Sequence, residues 1–446
     1  MTAHTRQQSL DILRTLRAAG HTSYWAGGCV RDLLLDRTPK DYDIATAARP
    51  EEILGLFDKT LAVGQAFGVI TVVIGKHPHE VATFRRDLDY HDGRHPEGVT
   101  FSEPEEDARR RDFTVNGLFY DPETEQILDF VNGQEDVQHK VIRAIGNPHD
   151  RFEEDALRML RAVRLAATLE FSIEEQTAAA IRELAGTIAR VSTERIQQEL
   201  TRMLTEAPLA GQGLALLLDL GLLEVILPEV ARMHGQAQPP EFHPEGDVFT
   251  HTVLMLDGME NPDPILAYAV LLHDVGKPPT AAVSIEPDGR ERIRFNGHAH
   301  QGATMATEIL RRLKLPNAVI EGATHCIANH MRFMDVPNMK RSTLRRMVGD
   351  PLFPSELKLH RLDCLCSHGD LSNYTFLRQF QKDLANEPVL PDPWISGHDI
   401  MALGILEGPA IGHWHKTAYE RQLEGSSASK EELLTWLRSE IENGQG

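Results

Sequence analysis

The sequence predicts an α+β protein with a small mixed α/β head, an all-helical neck and a helical body. Three observations support this fold class. The first 145 residues contain short apolar or alternating runs that are typical of strands, whereas helical periodicity dominates from about residue 150 onward. The chain has 446 residues, enough for about two to four domains. No internal repeat indicates a solenoid.

The predicted head begins with a helix and continues with strands. Leu10, Leu13 and Leu16 recur at helical spacing, so we expect a helix over residues 5–19. The polar stretch between Arg86 and Arg109 contains two glycines and two prolines and is predicted to be a mobile loop. Strands are predicted at residues 23–26, 41–45, 67–74, 79–84 and 126–131.

From residue 150 the pattern changes to helices with short connections. Helices are predicted over residues 155–169, 193–204 and 430–441, and residues 213–230 indicate a buried helical hairpin interrupted at Gly221. A linker rich in Pro and Gly covers residues 234–247. The expected domains are the head at 1–145, the neck at 146–233, a histidine-rich body at 234–390 and a helical tail at 391–446.

The cysteine pattern and hydropathy indicate a cellular compartment. None of the four cysteines forms a C-x-x-C pair, so neither a zinc ribbon nor a disulfide framework is expected. The N-terminal stretch lacks the apolar core of a secretory signal, and no apolar run reaches the roughly 18 residues of a membrane span. We therefore expect a protein of the reducing cytoplasm without a membrane partner.

A glycine turn between a predicted strand and a predicted helix is the first candidate site. Gly27 and Gly28 lack Cβ atoms, so backbone N–H groups can approach a phosphate at the start of the helix. Arg31 lies one turn further and can fork onto phosphate oxygens. Taken alone, such a pair is more often only a turn.

Two carboxylates follow, beginning thirteen residues after Gly28. Asp41 and Asp43 are two residues apart in a predicted strand, so both should face the same side. Such a pair suits Mg²⁺ held together with substrate phosphates, as in an in-line phosphoryl transfer. Glu80 begins a later strand and is the best candidate for a third carboxylate, with an exposed strand edge as the alternative.

Two further motifs combine acids and arginines. Arg110, Arg111 and Asp112 precede an apolar residue, and such an arrangement suits ribose hydroxyls and triphosphate oxygens, with Asn116 as an added polar contact. An Asp–Arg pair on a helix can form hydrogen bonds with the Watson–Crick edge of C or A. The alternative is that the two side chains form ordinary salt bridges along the helix. Side chains three residues apart form a tilted ridge on the predicted neck helix: Asp155, Arg158, Arg161 and Arg164.

Six ordered segments together resemble one family over roughly residues 20–230. The segments are GGCVRD, KDYD, HEVATFR, RRRDFTVNG, EDALRMLRAVR and STERIQQEL. They resemble the class II CCA-adding tRNA nucleotidyltransferase and bacterial poly(A) polymerase family. The resemblance implies a polymerase-beta-like head that transfers nucleotides from CTP and ATP to the 3′ end of tRNA with Mg²⁺. Gly117 is a small departure, because the family commonly has Ala there.

The resemblance also implies a role for each motif residue. Asp41 and Asp43 would bind Mg²⁺, with Glu80 as the third carboxylate. Asp155 and Arg158 would select C or A, and Glu194 and Arg195 open the next neck motif. The remaining nucleotide contacts would be Gly28, Arg31, Arg111, Asp112, Asn116, Arg161 and Arg164.

Residues 243–370 hold a second constellation, in which histidines and aspartates recur. His251 lies on a predicted helix, and His273 and Asp274 end an apolar helix stopped by Gly276 and Pro278. Imidazole and carboxylate ligands suit Zn, Mn, Fe, Co or Ni better than Ca. Further candidates are His298, His300, His330, Asp363 and Asp370.

This second stretch resembles the HD phosphohydrolase superfamily. The resemblance makes His251, His273, Asp274 and Asp363 the metal ligands, with Asp370 as a rival for the last position. His298 and His330 match the extra ligands of two-metal members. The implied activity is hydrolysis of phosphomonoester or 2′,3′-cyclic phosphate ends, and an inactive RNA-binding remnant is the alternative.

Several functions remain open at this point. A poly(A) polymerase would use the same head, although VGQAFGVITVV lacks the extra basic residues associated with that branch. An enzyme that adds only A, or only C, is a third variant, and a phosphohydrolase that uses the head as an RNA clamp is a fourth. The long stretch at 86–109 resembles enzymes able to switch to A. The oligomeric state is not predicted.

The net charge limits how the protein can meet RNA. The chain has 66 Asp plus Glu against 46 Lys plus Arg, a formal net charge of −20. A protein that coats nucleic acid non-specifically is therefore excluded, whereas local, salt-sensitive binding is not. Residues 311–350 carry eight cations against three acids. We expect this segment, including Arg345 and Arg346, to contact the RNA backbone, with a solvated helix face as the alternative.

Overall fold

The computed structural model describes residues 2–87, 99–285 and 289–444. The chain divides into two compact units. The first contains Met1–Arg232, Leu256–Pro262 and Ile309–Leu315, and the second contains Met233–Met255, Asp263–Glu308 and Pro316–Gly446. Among the described residues, no helix is long and apolar enough to cross a membrane.

A seven-stranded sheet forms the centre of the head. Its order is β3-β4-β5-β2-β1-β8-β9, and all neighbours run antiparallel except the parallel pair β2 and β5. β6 and β7 form a separate antiparallel hairpin. The strands are β1 (Ser23–Ala26), β2 (Ile44–Thr46), β3 (Thr60–Leu61), β4 (Val69–Ile74), β5 (His77–Thr83), β6 (Arg85–Asp87), β7 (Val99–Phe101), β8 (Leu118–Asp121) and β9 (Gln126–Asp129).

Alternation along the strands separates the apolar core from the polar face of the sheet. On β5, Val81 is fully buried and pairs with Ile44 and Ile70, whereas the neighbouring Glu80 is exposed. The indole of Trp25 on β1 is buried, with the Tyr42 ring 4.6 Å away between centroids. The head helices are α1 (Thr2–Ala18), α2 (Gly28–Leu34), α3 (Pro50–Leu56), α4 (Pro104–Arg109) and α5 (Gly133–His139).

Two predictions for the head are wrong. The strand predicted at 41–45 begins only at Ile44, so Asp41 and Asp43 lie in the connection that enters β2. The loop predicted at 86–109 contains part of β6 and the whole of β7 and α4, and α4 has Pro104 and three acids in its first turn. Residues 88–98 of that predicted loop lie outside the described residues. The helix α3 and the strands β3 and β8 were not predicted.

The neck is helical, as predicted. Its longest buried element is α7, in which eleven of thirteen residues are buried, among them Arg158 and Arg164. Gly221 has a φ of +71° and separates α10 from α11, which confirms the predicted interruption. The elements are β10 (Val141–Ile142), α6 (Pro148–Glu154), α7 (Leu157–Leu169), β11 (Ser172–Ile173), α8 (Glu175–Leu184), α9 (Thr193–Glu206), α10 (Ala210–Asp219), α11 (Leu223–Ile226) and α12 (Pro228–Ala231).

The body combines apolar helices with a β-hairpin that the sequence did not predict. Every residue of α14 from Leu266 to Leu272 is buried, which explains its unbroken apolar run. The elements are α13 (Val248–Asp257), α14 (Pro264–Leu272), α15 (Lys277–Thr280), β12 (Ala282–Ile285), β13 (Glu291–Arg294), α16 (His298–Arg312), α17 (Asn317–Asn329), α18 (Arg341–Val348), α19 (Phe353–Cys366) and α20 (Ser372–Asp383). A 3₁₀ segment covers His330–Asn338.

The tail contains three helices rather than the single predicted one. They are α21 (Gly397–Ala402), α22 (Pro409–Glu424) and α23 (Lys430–Gly444). They share an apolar cluster of their own, formed by Ile395, Ile400, Ala418, Leu433, Leu437 and Ile441. The α+β fold class is therefore confirmed, with a mixed head followed by helical segments.

Candidate active site and metal centre

A cavity of about 890 Å³ in the first unit brings the predicted head and neck residues together. All twelve of them line it, although they come from positions 28 to 164 of the chain. They are Gly28, Arg31, Asp41, Asp43, Glu80, Arg111, Asp112, Asn116, Asp155, Arg158, Arg161 and Arg164.

The lining of this cavity is basic although the chain is acidic. It contains eleven Lys and Arg side chains against seven Asp and Glu, whereas the whole chain has a net charge of −20. Such an excess attracts polyanions such as a nucleoside triphosphate or an RNA backbone. Besides the predicted arginines, the cations are Arg37, Lys40, Arg85, Arg110, Arg195 and Arg202.

The three predicted carboxylates act on one another electrostatically. Burial, together with the charges of Asp41 and Glu80, raises the pKa of Asp43 to about 7, and Arg111 opposes this shift only in part. The backbone N–H of Ala26 donates to the carbonyl of Asp43 over 3.0 Å, which fixes this residue beside the glycine turn. A half-buried carboxylate with two acidic neighbours favours a bound cation, and oxygen ligands suit Mg²⁺.

The glycine turn is shaped by an arginine. Gly27 has a φ of +74°, and a Cβ atom there would lie 3.0 Å from Nη1 of Arg111. Arg31, one turn into α2, donates from Nη1 to Oδ1 of Asn116 over 2.6 Å. The turn, both arginines and the asparagine thus form one wall of the cavity.

Neck arginines are held by carboxylates. Arg161 donates from Nη2 to Asp112 over 2.6 Å. Burial alone would raise the pKa of Asp112, but this contact outweighs it and lowers the pKa to about 2. Arg164 pairs with Glu199, and both side chains are buried. Glu199 belongs to α9 and was not among the predicted site residues.

The two predicted base-selecting residues also have protein partners. Asp155 follows α6 in an extended conformation, so it precedes the helix on which it was predicted. Arg195 donates to it from Nη2 over 2.6 Å. Arg158 on α7 donates to Glu154. Both partners come from the predicted motifs; the i,i+4 spacing indicates the pair of Glu154 with Arg158, whereas Arg195 lies 40 residues from Asp155.

Asp107 is a site residue that the sequence did not reveal. It is almost completely buried and accepts hydrogen bonds from Arg110 and Arg111. The spacing of an acid three and four residues before two arginines on a helix is a signal that could have found it. The prediction of a loop at 86–109 concealed this signal.

Six of the predicted histidines and aspartates of the second unit form a compact, largely buried cluster. His251, His273 and Asp363 bring ligand atoms within 4.8 Å of one another, and so do Asp274, His298 and His330. Asp274 connects the two groups, because its Oδ2 lies 3.1 Å from Nε2 of His273 and its Oδ1 lies 3.6 Å from Nε2 of His298. Both groups could hold a divalent metal ion.

The last aspartate of the cluster is Asp363 and not its rival. Oδ1 of Asp363 lies 3.2 Å from Nε2 of His251. Asp370 is exposed and accepts a hydrogen bond from the backbone N–H of Ser372. His300 is also exposed, so it does not join the cluster.

Backbone contacts set the orientation of three imidazole rings. His273, His298 and His330 each place Nδ1 within 2.9 Å of the carbonyl oxygen three residues earlier. A carbonyl only accepts, so Nδ1 carries the proton and Nε2 of the neutral ring is left as a metal ligand. Nε2 of His251 and Nε2 of His273 are buried and face carboxylate oxygens, at 3.2 Å in Asp363 and 3.1 Å in Asp274. These features fit a metal site.

Close packing brings the cluster together. A Cβ atom on Gly276 would lie 2.2 Å from the carbonyl oxygen of His298, so the second residue after the His-Asp pair must be glycine. Burial lowers the pKa of His330 to about 4, which keeps its ring neutral. Burial also favours a neutral His251, but contacts with Asp363 and Glu245 outweigh it and raise its pKa to about 9.

The predicted linker at 234–247 contributes residues that sequence reasoning missed. Oε1 of Glu245 lies 2.6 Å from Nδ1 of His251 and 2.9 Å from Nδ1 of His243. Lys277 donates to Gln238 over 2.6 Å and lies 2.7 Å from Asp274. Nothing in the composition of this polar segment distinguishes it from an ordinary linker.

The prediction that Arg345 contacts RNA is wrong. Its side chain is only 6% exposed. Its guanidinium donates to Glu387 and to the carbonyl oxygens of Pro388 and Val389. Other cations of residues 311–350 pair with carboxylates: Arg312 with Glu229, Lys314 with Glu194, Arg332 with Glu356, Arg341 with Glu387 and Arg346 with Glu420.

Comparison with known families agrees with both sites. Residues 23–143 match the Poly A polymerase head domain, and residues 247–365 match the HD domain. Residues 170–233 match the "Probable RNA and SrmB- binding site of polymerase A". Fold and sites thus agree with a first unit similar to the poly(A) polymerase head and its RNA-binding segment, and with a second unit similar to the HD domain. In its head and neck the chain is similar to CCA-adding enzymes and bacterial poly(A) polymerases.

Individual relatives are CCA-adding enzymes. The enzyme of Lactobacillus helveticus (strain DPC 4571) is 42% identical over 239 residues, which are 53% of this chain and 58% of that protein. The enzyme of Geobacillus thermodenitrificans (strain NG80-2) is 46% identical over 217 residues, 48% of this chain and 53% of that protein. The chain spans about half the length of the curated relatives it matches.

A solved structure resembles the whole chain. The crystal structure of the Bacillus stearothermophilus CCA-adding enzyme in complex with CTP is 27% identical, with a TM-score of 0.75 over 98% of both chains.

Proposed function

We propose that the protein is a template-independent nucleotidyltransferase that adds or repairs the 3′-terminal CCA, or its final A, of tRNA from CTP and ATP. The observation that carries this proposal is the convergence of all twelve motif residues on one basic cavity. The relatives, which are CCA-adding enzymes, favour this function over poly(A) synthesis. The proposal includes the four domains predicted from the sequence and a cytoplasmic location.

Asp41, Asp43 and Glu80 would hold the catalytic Mg²⁺. The raised pKa of Asp43 supports this assignment, because the cluster of acids is incompletely neutralised by protein cations. When bound, Mg²⁺ lowers the pKa of the attacking hydroxyl and offsets negative charge on the leaving pyrophosphate.

The side chains of the cavity position the reactants. The RNA 3′-hydroxyl attacks the α-phosphorus of the nucleotide; the new P–O bond forms as the bond to the β-phosphate breaks, and pyrophosphate leaves. Arg31 and Arg111 at the glycine turn, with Arg161 and Arg164 of the neck, would orient the triphosphate. Positioning and electrostatic stabilisation therefore supply most of the rate, and no covalent intermediate is needed.

Base selection would use the polar edge of the neck. Asp155 accepts from the amino group of C or A, and Arg158 donates to the adjacent acceptor. Arg195 and Glu154 hold these side chains in place. Because both bases offer a donor next to an acceptor, one pair of side chains suits both nucleotides.

The HD cluster supports a second candidate function, a metal-dependent phosphohydrolase acting on phosphorylated RNA ends. The orientation of Nε2 in three histidines supports it. A divalent transition metal such as Ni, Mn, Co, Fe or Zn would be held by His251, His273, Asp274 and Asp363, with His298 and His330 available to a second ion. When bound, the metal activates water for attack on phosphorus.

An extension assay tests the main proposal. Purified protein is given tRNA transcripts that end before CCA, after C and after CC, with CTP and ATP separately and together. We expect additions that stop once CCA is complete. A long ladder of A on any RNA would establish the poly(A) polymerase instead, and no extension of any transcript would contradict both activities.

A further inference from the structure

Asp107 is a buried carboxylate directly behind the arginine wall of the cavity. It lies on α4, its side chain is 1% exposed, and it does not line the cavity itself. Neither the motif comparison nor the proposed chemistry uses it. A charge buried so deeply destabilises a protein unless other groups compensate it, so its partners indicate its role.

Its two oxygens have different partners. Oδ1 accepts from Nε and Nη2 of Arg110, over 2.9 and 2.6 Å, and from the backbone N–H of Arg85 over 3.2 Å. Oδ2 accepts from Nε and Nη2 of Arg111 over 3.2 and 3.0 Å. One carboxylate therefore holds two adjacent guanidinium groups that would otherwise repel each other.

The guanidinium of Arg111 is restrained on more than one side. Its Nε and Nη2 edge faces Asp107, and its Nη1 donates to the carbonyl oxygen of Asn116 over 3.3 Å. The guanidinium carbon lies 5.1 Å from the centroid of the Phe119 ring. Nη1 also lies beside the glycine turn, where a Cβ on Gly27 would be only 3.0 Å away. The orientation of this group is therefore set before a ligand arrives.

We propose that Asp107 is a positioning residue for the triphosphate of the incoming nucleotide, acting through Arg111. It holds the Nε and Nη2 edge, so that Nη1 is presented at the glycine turn where a phosphate would bind. A flexible arginine loses rotamer freedom when it binds an anion, and this loss weakens binding. An arginine that is already restrained avoids this loss on binding. This inference rests on the proposed nucleotidyl transfer, because it assigns a residue to the same site.

The consequence is a defect in nucleotide binding that does not depend on the base. CTP and ATP share the triphosphate, so Asp107→Asn should raise KM for both by a similar factor, about 10-fold, with kcat changed less than threefold. Competitive inhibition by tripolyphosphate, a probe without a base, should weaken by the same factor. Because KM does not depend on the amount of folded enzyme, partial unfolding does not imitate this result.

Two further variants make the test specific. Glu105→Gln is the matched control, since Glu105 lies on the same helix and pairs with Arg109 at the surface; its KM should be unchanged. In an Arg111→Lys background, Asp107→Asn should raise KM less than twofold, because its route of action has been removed. Asp107→Glu keeps the charge and should recover part of the loss.

The outcomes separate this inference from the function on which it rests. A wild-type protein that extends no tRNA would contradict the proposed function. A wild-type protein that extends tRNA, with Asp107→Asn unchanged in KM or altered only in kcat, would overturn the positioning role alone. A full 10-fold effect of Asp107→Asn in the Arg111→Lys background would also overturn it.

Discussion

The cavity of the first unit and the histidine cluster of the second unit hold charged groups together in different ways. In the cavity, side chains restrain side chains, as in the pair of Arg161 with Asp112. In the cluster, backbone carbonyls restrain the rings of His273, His298 and His330. Phosphate oxygens can compete with a carboxylate for an arginine, whereas a backbone carbonyl that holds a buried ring is not displaced by a substrate. The cavity is thus suited to exchange of substrates, and the cluster to permanent ligation of an ion.

The largest effect should come from removing a carboxylate of the cavity. Asp41→Ala should reduce addition of both CMP and AMP by about 10³-fold or more, because the Mg²⁺ site loses a ligand. The extension assay measures this directly, with thermal unfolding of the variant as the control for its folding. Retained addition would show that Asp41 does not hold the metal.

The reciprocal substitution tests whether the two sites are independent. Asp274→Ala removes the carboxylate that connects both histidine groups. We expect loss of bound transition metal, measured by elemental analysis of the purified protein, and loss of any phosphatase activity, with tRNA extension unchanged. Loss of both activities would mean that the sites cannot be separated.

Close packing at the cluster gives the third prediction. Gly276→Ala would place a Cβ 2.2 Å from a backbone oxygen and should destabilise the body by about 3 kcal/mol. The matched control is Gly412→Ala in α22, where nothing lies within 4 Å of the added Cβ. Thermal unfolding of both variants measures the difference, and equal melting temperatures would contradict the packing argument.

The smallest predicted effect concerns pH and the cavity alone. Protons compete with Mg²⁺ for Asp43, whose pKa is raised to about 7 by burial and by Asp41 and Glu80. Apparent Mg²⁺ affinity should therefore rise about tenfold between pH 6 and pH 8. Mg²⁺ titration of extension activity at both pH values measures this. An affinity independent of pH would show that Asp43 is ionised throughout.

The same raised pKa predicts a change in the stability of the metal-free protein. The folded state binds the proton of Asp43 more tightly than the unfolded state, whose value is near 3.8. The contribution of Asp43 to the free energy of unfolding is therefore greatest below about pH 4 and falls as the pH rises toward 7. Asp43→Asn should remove this part of the pH dependence, which denaturant titrations at several pH values can follow.

Much of the cavity could be predicted because its residues lie in short motifs with a chemical reason for each residue. The strand boundary at Asp41 was wrong, since the two acids precede β2, yet both still reach the cavity. Asp107 and Glu245 were missed because each lay in a stretch predicted to be a loop or linker, which concealed the local spacing of Asp107 from Arg110 and Arg111. The prediction that Arg345 contacts RNA was wrong for a different reason: the sequence shows that a residue is charged but not whether its guanidinium is buried.

By itself, the sequence determined the fold class, the order of motifs and the kinds of ligand that each site offers. These properties depend on local periodicity and on side-chain chemistry, which are written along the chain. Only the tertiary structure decided which acid pairs with which arginine, that Asp363 rather than Asp370 joins the histidines, and that a chain of net charge −20 encloses a basic cavity. The reason is that burial and pairing are set by residues far apart in sequence, whereas composition counts every charge equally.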